Sequence, residues 1–362
     1  MIIKSLELKD FRNYESLKLN FDTSTNIIFG DNAQGKTNIL EACYLSGTSK
    51  SHKGSHDKDM IRFGEKEAHI RCIVEKQTRD YQIDLHLRKN KTKGIAINQV
   101  PVKKAADLFG YLNIIFFSPE DLNIIKNGPG ERRKFIDMEL CQLDKIYLNN
   151  LTNYNKILNN RNKLLKDIHF NPSLRTTLDV WDEQLITYGK KIIQRRREFI
   201  NEISSVVSDM HYRISGEREH LSIAYEPNIE DFLFVDELFR SKEKDLKTGT
   251  TNVGPHRDDL SFSISDVDIR KFGSQGQQRT CALSLKLSEI KIVEDMIGEK
   301  PVLLLDDVLS ELDSTRQNYL LKSLYETQTI ITCTGLDDFV KNRFRINKVF
   351  EVVSGTVTER NE

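Results

Sequence analysis

The sequence offers no cysteine pairing: Cys43, Cys72, Cys141, Cys281 and Cys333 lie far apart and never fall into a C-x-x-C spacing. That argues against a cysteine metal site and fits a reducing compartment. Net charge is missing too, because 54 Lys+Arg offset 54 Asp+Glu. Without a global basic field, any contact with nucleic acid has to come from local patches. There is also no apolar run of ~18 residues able to span a bilayer. The opening MIIKSLELKDF alternates apolar and polar residues, where a signal peptide would show a basic stretch and then an apolar one. A soluble cytoplasmic protein is expected.

What is present is enough apolar material for a sizeable core, with 38% hydrophobic residues over a chain of 362. Ile2 to Leu8 and Leu17 to Phe21 read as short strands, and Asn26 to Phe29 as a buried strand followed by a helix from Lys36 to about Leu45. Residues 68–102 alternate as an antiparallel sheet would, and Leu112 to Phe117 reads as a central strand. Then the period changes. Ile136, Leu140, Leu143, Tyr147, Leu151, Tyr154, Leu158 and Leu165 form the stripe of one long amphipathic helix, and Pro172 ends it. Leu178, Trp181, Leu185, Tyr188, Ile192 and Phe199 repeat the spacing, so two helices can bury each other's stripes as an antiparallel hairpin. Core helices of a compact domain are the alternative. Strand patterns resume at Leu221 to Tyr225 and Leu260 to Ile264, and again at Pro301 to Asp306, Thr329 to Cys333 and a terminal hairpin around Gly355.

Two segments roughly 240 residues apart carry phosphate chemistry. Gly30-Asp31-Asn32-Ala33-Gln34-Gly35-Lys36-Thr37 fits G-x-x-x-x-G-K-[ST] between an apolar strand and a helix. Its glycines let backbone N–H groups curl toward phosphates, and the helix N-terminus adds a favourable dipole. Lys36 would neutralise the β- and γ-phosphates of ATP, and Thr37 would offer a hydroxyl to Mg²⁺. Asp306, at the carboxyl end of an apolar strand, suits the same Mg²⁺, with Asp307 beside it as the group that polarises the attacking water. Ser274-Gln275-Gly276-Gln277-Gln278 has the form of the signature of ATP-binding-cassette ATPases, in which one subunit's signature closes over ATP held by another's P-loop. Ser310-Glu311-Leu312-Asp313 matches their D-loop. Most such ATPases carry Glu where this chain has Asp307, and many carry a switch His where it has Thr332-Cys333-Thr334, so slow hydrolysis is expected, with Thr334 as a substitute sensor.

The whole chain resembles the RecF family, SMC-like cassette ATPases with a short helical arm. The resemblance rests on Phe11-Arg12-Asn13-Tyr14, Gly30 to Asn38, Phe117 to Leu122, Gly128 to Phe135, Gly254 to Asp259, Ser274 to Arg279 and Leu303 to Asp313. It implies an α/β fold: a P-loop ATPase head of mixed parallel and antiparallel sheets, plus a helical arm. The division expected is 1–130 for the P-loop part of the head, 131–215 for the arm and 216–362 for the signature part. It further implies that Arg12 and Asn13 join the ATP contacts and that an ATP-dependent homodimer binds DNA. Work with RecR and RecO in loading recombinase at gaps, SOS induction and a weak DNA-stimulated ATPase follow from the same resemblance. Candidate DNA contacts are Lys190, Lys191, Arg195, Arg196 and Arg197 on one helical segment, and Lys50 and Lys53 flanking His52 in a polar loop. The 190s cluster reads equally as a solvated helix face. His256 reads equally as a phosphate contact or a buried structural residue. A transporter ATPase subunit would have its P-loop and signature much closer together and a switch His, and a P-loop kinase would have no use for SQGQQ.

Overall fold

The computed structural model describes every residue except 78, 310, 311, 325, 326, 336–346, 361 and 362. Two compact units form: Met1–Asp121 with Lys286–Glu362, and Leu122–Leu285.

Among its described residues the first unit holds two six-stranded sheets. One joins β1 (Ile2–Phe11), β2 (Tyr14–Asn20), β4 (Glu67–Lys76), β5 (Arg79–Arg88), β6 (Gly94–Ile97) and β7 (Val100–Pro101), all antiparallel, in the order β2-β1-β4-β5-β6-β7. Alternation sets its faces: Ala68, Ile70, Cys72 and Val74 of β4 are buried, while Glu67, His69 and Arg71 between them stay exposed. The other joins β3 (Thr25–Phe29), β8 (Ile114–Phe117), β12 (Val302–Asp306), β13 (Thr329–Cys333), β14 (Lys348–Val353) and β15 (Thr356–Arg360), in the order β15-β14-β3-β13-β12-β8. All its pairings are parallel except the β14–β15 hairpin. Continuous apolar runs such as Ile114-Ile115-Phe116-Phe117 suit strands covered on both faces. The helix α1 (Lys36–Thr48) touches strands of both sheets and is buried all round, Ile39, Leu40 and Cys43 being wholly inaccessible. A further helix, α9 (Ser314–Ser323), follows β12.

The second unit is mainly helical. Its helices are α2 (Leu122–Lys126), α3 (Pro129–Leu143), α4 (Lys145–Phe170), α5 (Leu178–Ile214), α6 (Phe234–Thr248) and α7 (Ile269–Phe272). A three-stranded antiparallel sheet of β9 (Leu221–Glu226), β10 (Asp259–Ile264) and β11 (Val267–Asp268) completes it. The helix α8 (Gln275–Ile297) belongs to this unit through Leu285 and to the first from Lys286.

The hairpin expected from the stripes is α4 against α5. Arg161 pairs with Asp182 near the turn and Arg196 reaches Tyr147 farther out, which makes the two helices antiparallel. Leu185, Ile192 and Phe199 of α5 are buried as the spacing requires, and Pro172 opens the short 3₁₀ turn between them. The first stripe is two helices instead of one. Asp144 interrupts it, its carboxylate accepting from the amides of Ile146 (2.8 Å) and Tyr147 (2.9 Å) as the N-cap of α4. The limits of the insertion also differ from 131–215: the compact unit begins at Leu122 and continues to Leu285, because the β9-β10-β11 sheet packs on α5.

Candidate nucleotide site

Between β3 and α1 the chain turns through Gly30 (φ 148°) and Gly35 (φ 116°), a region that side chains rarely adopt. Space imposes the same choice. A Cβ on Gly30 would lie 2.3 Å from the Val352 carbonyl oxygen, and one on Gly35 would lie 2.4 Å from Nδ2 of Asn13. Lys36 curls back so that Nζ donates to the carbonyls of Gly30 (2.6 Å) and Asp31 (2.8 Å). No side chain caps the N-terminus of α1, the positive end of a helix dipole that favours an anion.

Register then supplies the acids. β12 and β13 pair in parallel with Asp306 beside Thr332. Oδ1 of Asp306 accepts from the hydroxyls of Thr37 (2.9 Å) and Thr332 (2.7 Å). The Thr332 hydroxyl also accepts from the amide of Asp307 (3.1 Å), so one threonine fixes both acids. Asp307 has a left-handed backbone (φ 53°), a conformation Asp tolerates better than most residues and one that recurs at functional sites. A cavity of about 450 Å³ opens here, with Lys36, Thr37, Asp306, Asp307, Thr332 and Glu120 in its wall. Burial lifts the Asp121 carboxyl to about 6, and that carboxyl accepts from the Ser118 amide (2.8 Å), holding the turn that carries Glu120.

The Phe11-Arg12-Asn13-Tyr14 segment lies beside the P-loop and α1. Neither Arg12 nor Asn13 is in the cavity wall; Asn13 braces the loop and Arg12 holds α1. Asn13 donates to the Gln34 carbonyl (2.9 Å) and accepts from the Asn38 amide group (2.8 Å), while the Tyr14 hydroxyl donates to the Gly35 carbonyl (3.1 Å). Arg12 forms a bidentate pair with buried Glu41 of α1 and donates to the Asp59 carbonyl and the Ser55 hydroxyl, all at 2.8 Å. Burial alone would raise the Glu41 carboxyl, but hydrogen bonds from Arg12 and Ser51 outweigh it and hold the group below its ordinary value. From the far end of the chain, the Ser354 amide donates to Oε1 of Gln34.

Ser274 to Gln278 form the first turn of α8 in the second unit, with Ser274 and Gln275 exposed and Gly276 and Gln277 half-buried. The Ser274 hydroxyl accepts from the Gln277 amide (3.2 Å) and the Gln277 side chain accepts from the Ser274 amide (2.9 Å), a reciprocal cap. Ser310 and Glu311 of the D-loop segment lie outside the described residues. Leu312 is half-buried, and exposed Asp313 caps α9 by accepting from the Arg316 amide (3.0 Å).

The 190s cluster is corrected by its surroundings. Arg196 is only 2% exposed and bonds Asp258, Asp137, the Pro255 carbonyl and the Tyr147 hydroxyl, so it cannot meet DNA. Arg195 pairs with Asp144 and Glu202, and Arg197 with Glu230 and Asp231. Lys190 is half-buried, and exposed Lys191 lies over the Tyr188 ring. Lys50 and Lys53 are exposed as expected, and Lys53 with His52 lines the nucleotide cavity. His256 is structural. Its Nε2 faces the Thr251 carbonyl (3.0 Å) and so carries the proton, leaving Nδ1 to accept from the Tyr154 hydroxyl (2.8 Å); burial lowers its pKa to about 4.

Sequence reasoning missed three contributors: Tyr14 and Thr332, whose roles depend on register, and Glu120, which the Phe117–Leu122 segment already contained. Thr334, the expected sensor, is exposed and outside the cavity wall.

A P-loop joining a parallel strand to a buried helix, an acid pair two strands away and a signature-like helix start define an ATPase head of the cassette and SMC type. A solved SMC head shares this fold, with a TM-score of 0.59 over 99% of this chain and 97% of the other at 17% identity. Residues 2–358 match the RecF/RecN/SMC N-terminal domain family, and the chain belongs to its RecF branch. It is 68% identical over 357 residues to the DNA replication and repair protein RecF of Agathobacter rectalis, covering 99% of both. With that of Lachnospira eligens it is 60% identical over 363 residues, covering all of both. The solved structure of the recombination mediator protein RecF-ATP in the RecFOR pathway superposes with a TM-score of 0.92 at 37% identity, covering 99% of this chain and 97% of that one.

Proposed function

We propose that this chain is an ATP-gated DNA-binding protein of recombinational repair and replication. The observation that carries this is Thr37 and Asp306 meeting at 2.9 Å in a cavity walled by Lys36, in a chain of the same length and fold as RecF-ATP. Gly30 to Thr37 would wrap the phosphates of ATP, with Lys36 exchanging its carbonyl partners for β- and γ-phosphate oxygens. The Thr37 hydroxyl and Asp306 carboxylate are an all-oxygen pair that suits Mg²⁺, which would neutralise phosphate charge when bound. Asp307 would hold the attacking water and accept its proton. Its carboxylate is one methylene shorter than the usual Glu, and Thr332-Cys333-Thr334 stands where a switch imidazole is common, so turnover is slow and ATP serves as a switch.

In this reading Ser274 to Gln277 and the D-loop residues 310–313 of one subunit close over ATP held by another, and the dimer clamps DNA. Lys50 and Lys53 remain as DNA contacts. Work with RecR and RecO at gaps belongs to the same proposal, in line with a relative's title that places it in the RecFOR pathway, and so do DNA-stimulated hydrolysis, support of SOS induction and a cytoplasmic location.

Size-exclusion with light scattering and DNA binding on gapped, single-stranded and duplex DNA test it together. Wild type forms a dimer with ATP and Mg²⁺ and binds DNA only then, while Lys36→Arg stays monomeric and binds weakly. A wild-type monomer under every condition, or equal DNA binding by both proteins, overturns it.

A further inference from the structure

Away from the cavity, the exposed face of the antiparallel sheet carries a cluster the proposed function does not use. Glu67 and His69 are two apart on β4 and so face the same way, and His86 of β5 stands opposite His69 in register. The two imidazoles stack at 4.1 Å between centroids. One carboxylate serves both rings: Glu67 lies 2.9 Å from Nε2 of His86 and 3.7 Å from Nε2 of His69. One ligand atom from each of the three residues falls within 4.8 Å of the others. On the far side of His86 the register partner is Gly94, which puts no side chain over the cluster.

We propose that Glu67, His69 and His86 form a binding site for a borderline divalent cation of the Zn²⁺ type. Two imidazole nitrogens and one carboxylate oxygen match its preferred donors, and three protein ligands leave a fourth position for water. Mg²⁺, which asks for an octahedron of oxygens, is disfavoured. The cation would sit where the Glu67–His86 hydrogen bond now lies, bound by Nε2 of the rings with the ring proton on Nδ1. Cations beside the site include Lys9 opposite His69, Arg88 opposite Glu67, and Arg71, which pairs with Asp84 (2.7 Å).

The test uses metal-stripped full-length protein without nucleotide, titrated with Zn²⁺ by calorimetry and with Co²⁺ by visible absorption. One equivalent binds, the Co²⁺ spectrum shows four-coordinate bands without thiolate charge transfer, and His86→Ala and His69→Ala each weaken Zn²⁺ by about tenfold or more. All five cysteines are buried, and the three ligands sit on a solvent face where alanine leaves the core intact. Absence of saturable Zn²⁺ binding, binding unchanged in both His variants, or binding lost in Asp306→Asn instead, overturns the site.

Discussion

At the scale of single residues, Thr332 is the most informative. Its hydroxyl donates to Asp306 and accepts from the Asp307 amide, so one oxygen fixes both acids of the proposed ATPase. A hydrogen bond to a charged group contributes roughly 1.5–3 kcal/mol. Thr332→Val keeps the volume and removes the hydroxyl, so single-turnover hydrolysis should fall about 10- to 100-fold. ATP affinity, measured with a fluorescent analogue, should stay nearly constant, and Thr332→Ser should restore the rate. An undiminished rate in the valine variant would remove Thr332 from the chemistry. The P-loop itself was legible because its signal is local: two glycines, a lysine and a threonine at fixed spacing. Thr332 was not, since only the pairing of β12 with β13 puts it beside Asp306, and a sequence does not print its strand register.

At the scale of elements, α5 shows how a charge run misleads. Lys190, Lys191, Arg195, Arg196 and Arg197 read either as a basic DNA patch or as a solvated helix face, yet a helix turns about 100° per residue and sends neighbours to different faces. Arg196 falls on the buried face among Asp137, Asp258 and Tyr147, with Tyr225 also donating to Asp258. Removing one partner of a buried ion pair strands the others and costs about 3–5 kcal/mol. Arg196→Ala should therefore lower the unfolding free energy measured in urea by about 3–5 kcal/mol, while Lys191→Ala, on the exposed face, should change it by no more than about 0.5 kcal/mol. Weakened DNA binding by Arg196→Ala with unchanged stability would restore the first reading. Periodicity gave the helical hairpin correctly and hid the break at Asp144, because the apolar stripe continues across it in phase. A cap is a single residue and competes poorly with an eight-position pattern.

At the scale of the whole molecule, zero net charge sets how the proposed DNA binding must respond to salt. Without a long-range field, the slope of log affinity against log salt counts local phosphate contacts, at about 0.9 per contact on duplex DNA. If Lys50 and Lys53 are two of them, Lys50→Glu with Lys53→Glu should flatten the slope by about 1.8, read by fluorescence anisotropy between 50 and 200 mM salt. An unaltered slope assigns DNA to another face.

The order of strands in the parallel sheet has a consequence in time. β3, which leads into the P-loop, hydrogen-bonds on one side to β13 and on the other to β14, and its partner for Thr25 is Thr329. At a synthesis rate of about 5–20 residues per second, β3 leaves the ribosome on the order of 15–60 s before either neighbour exists. Through that interval Ile27 and Ile28, both wholly buried in the finished protein, have no strand to pair with. The sheet that carries the P-loop strand therefore cannot close until residues near the C-terminal end of the chain have been made.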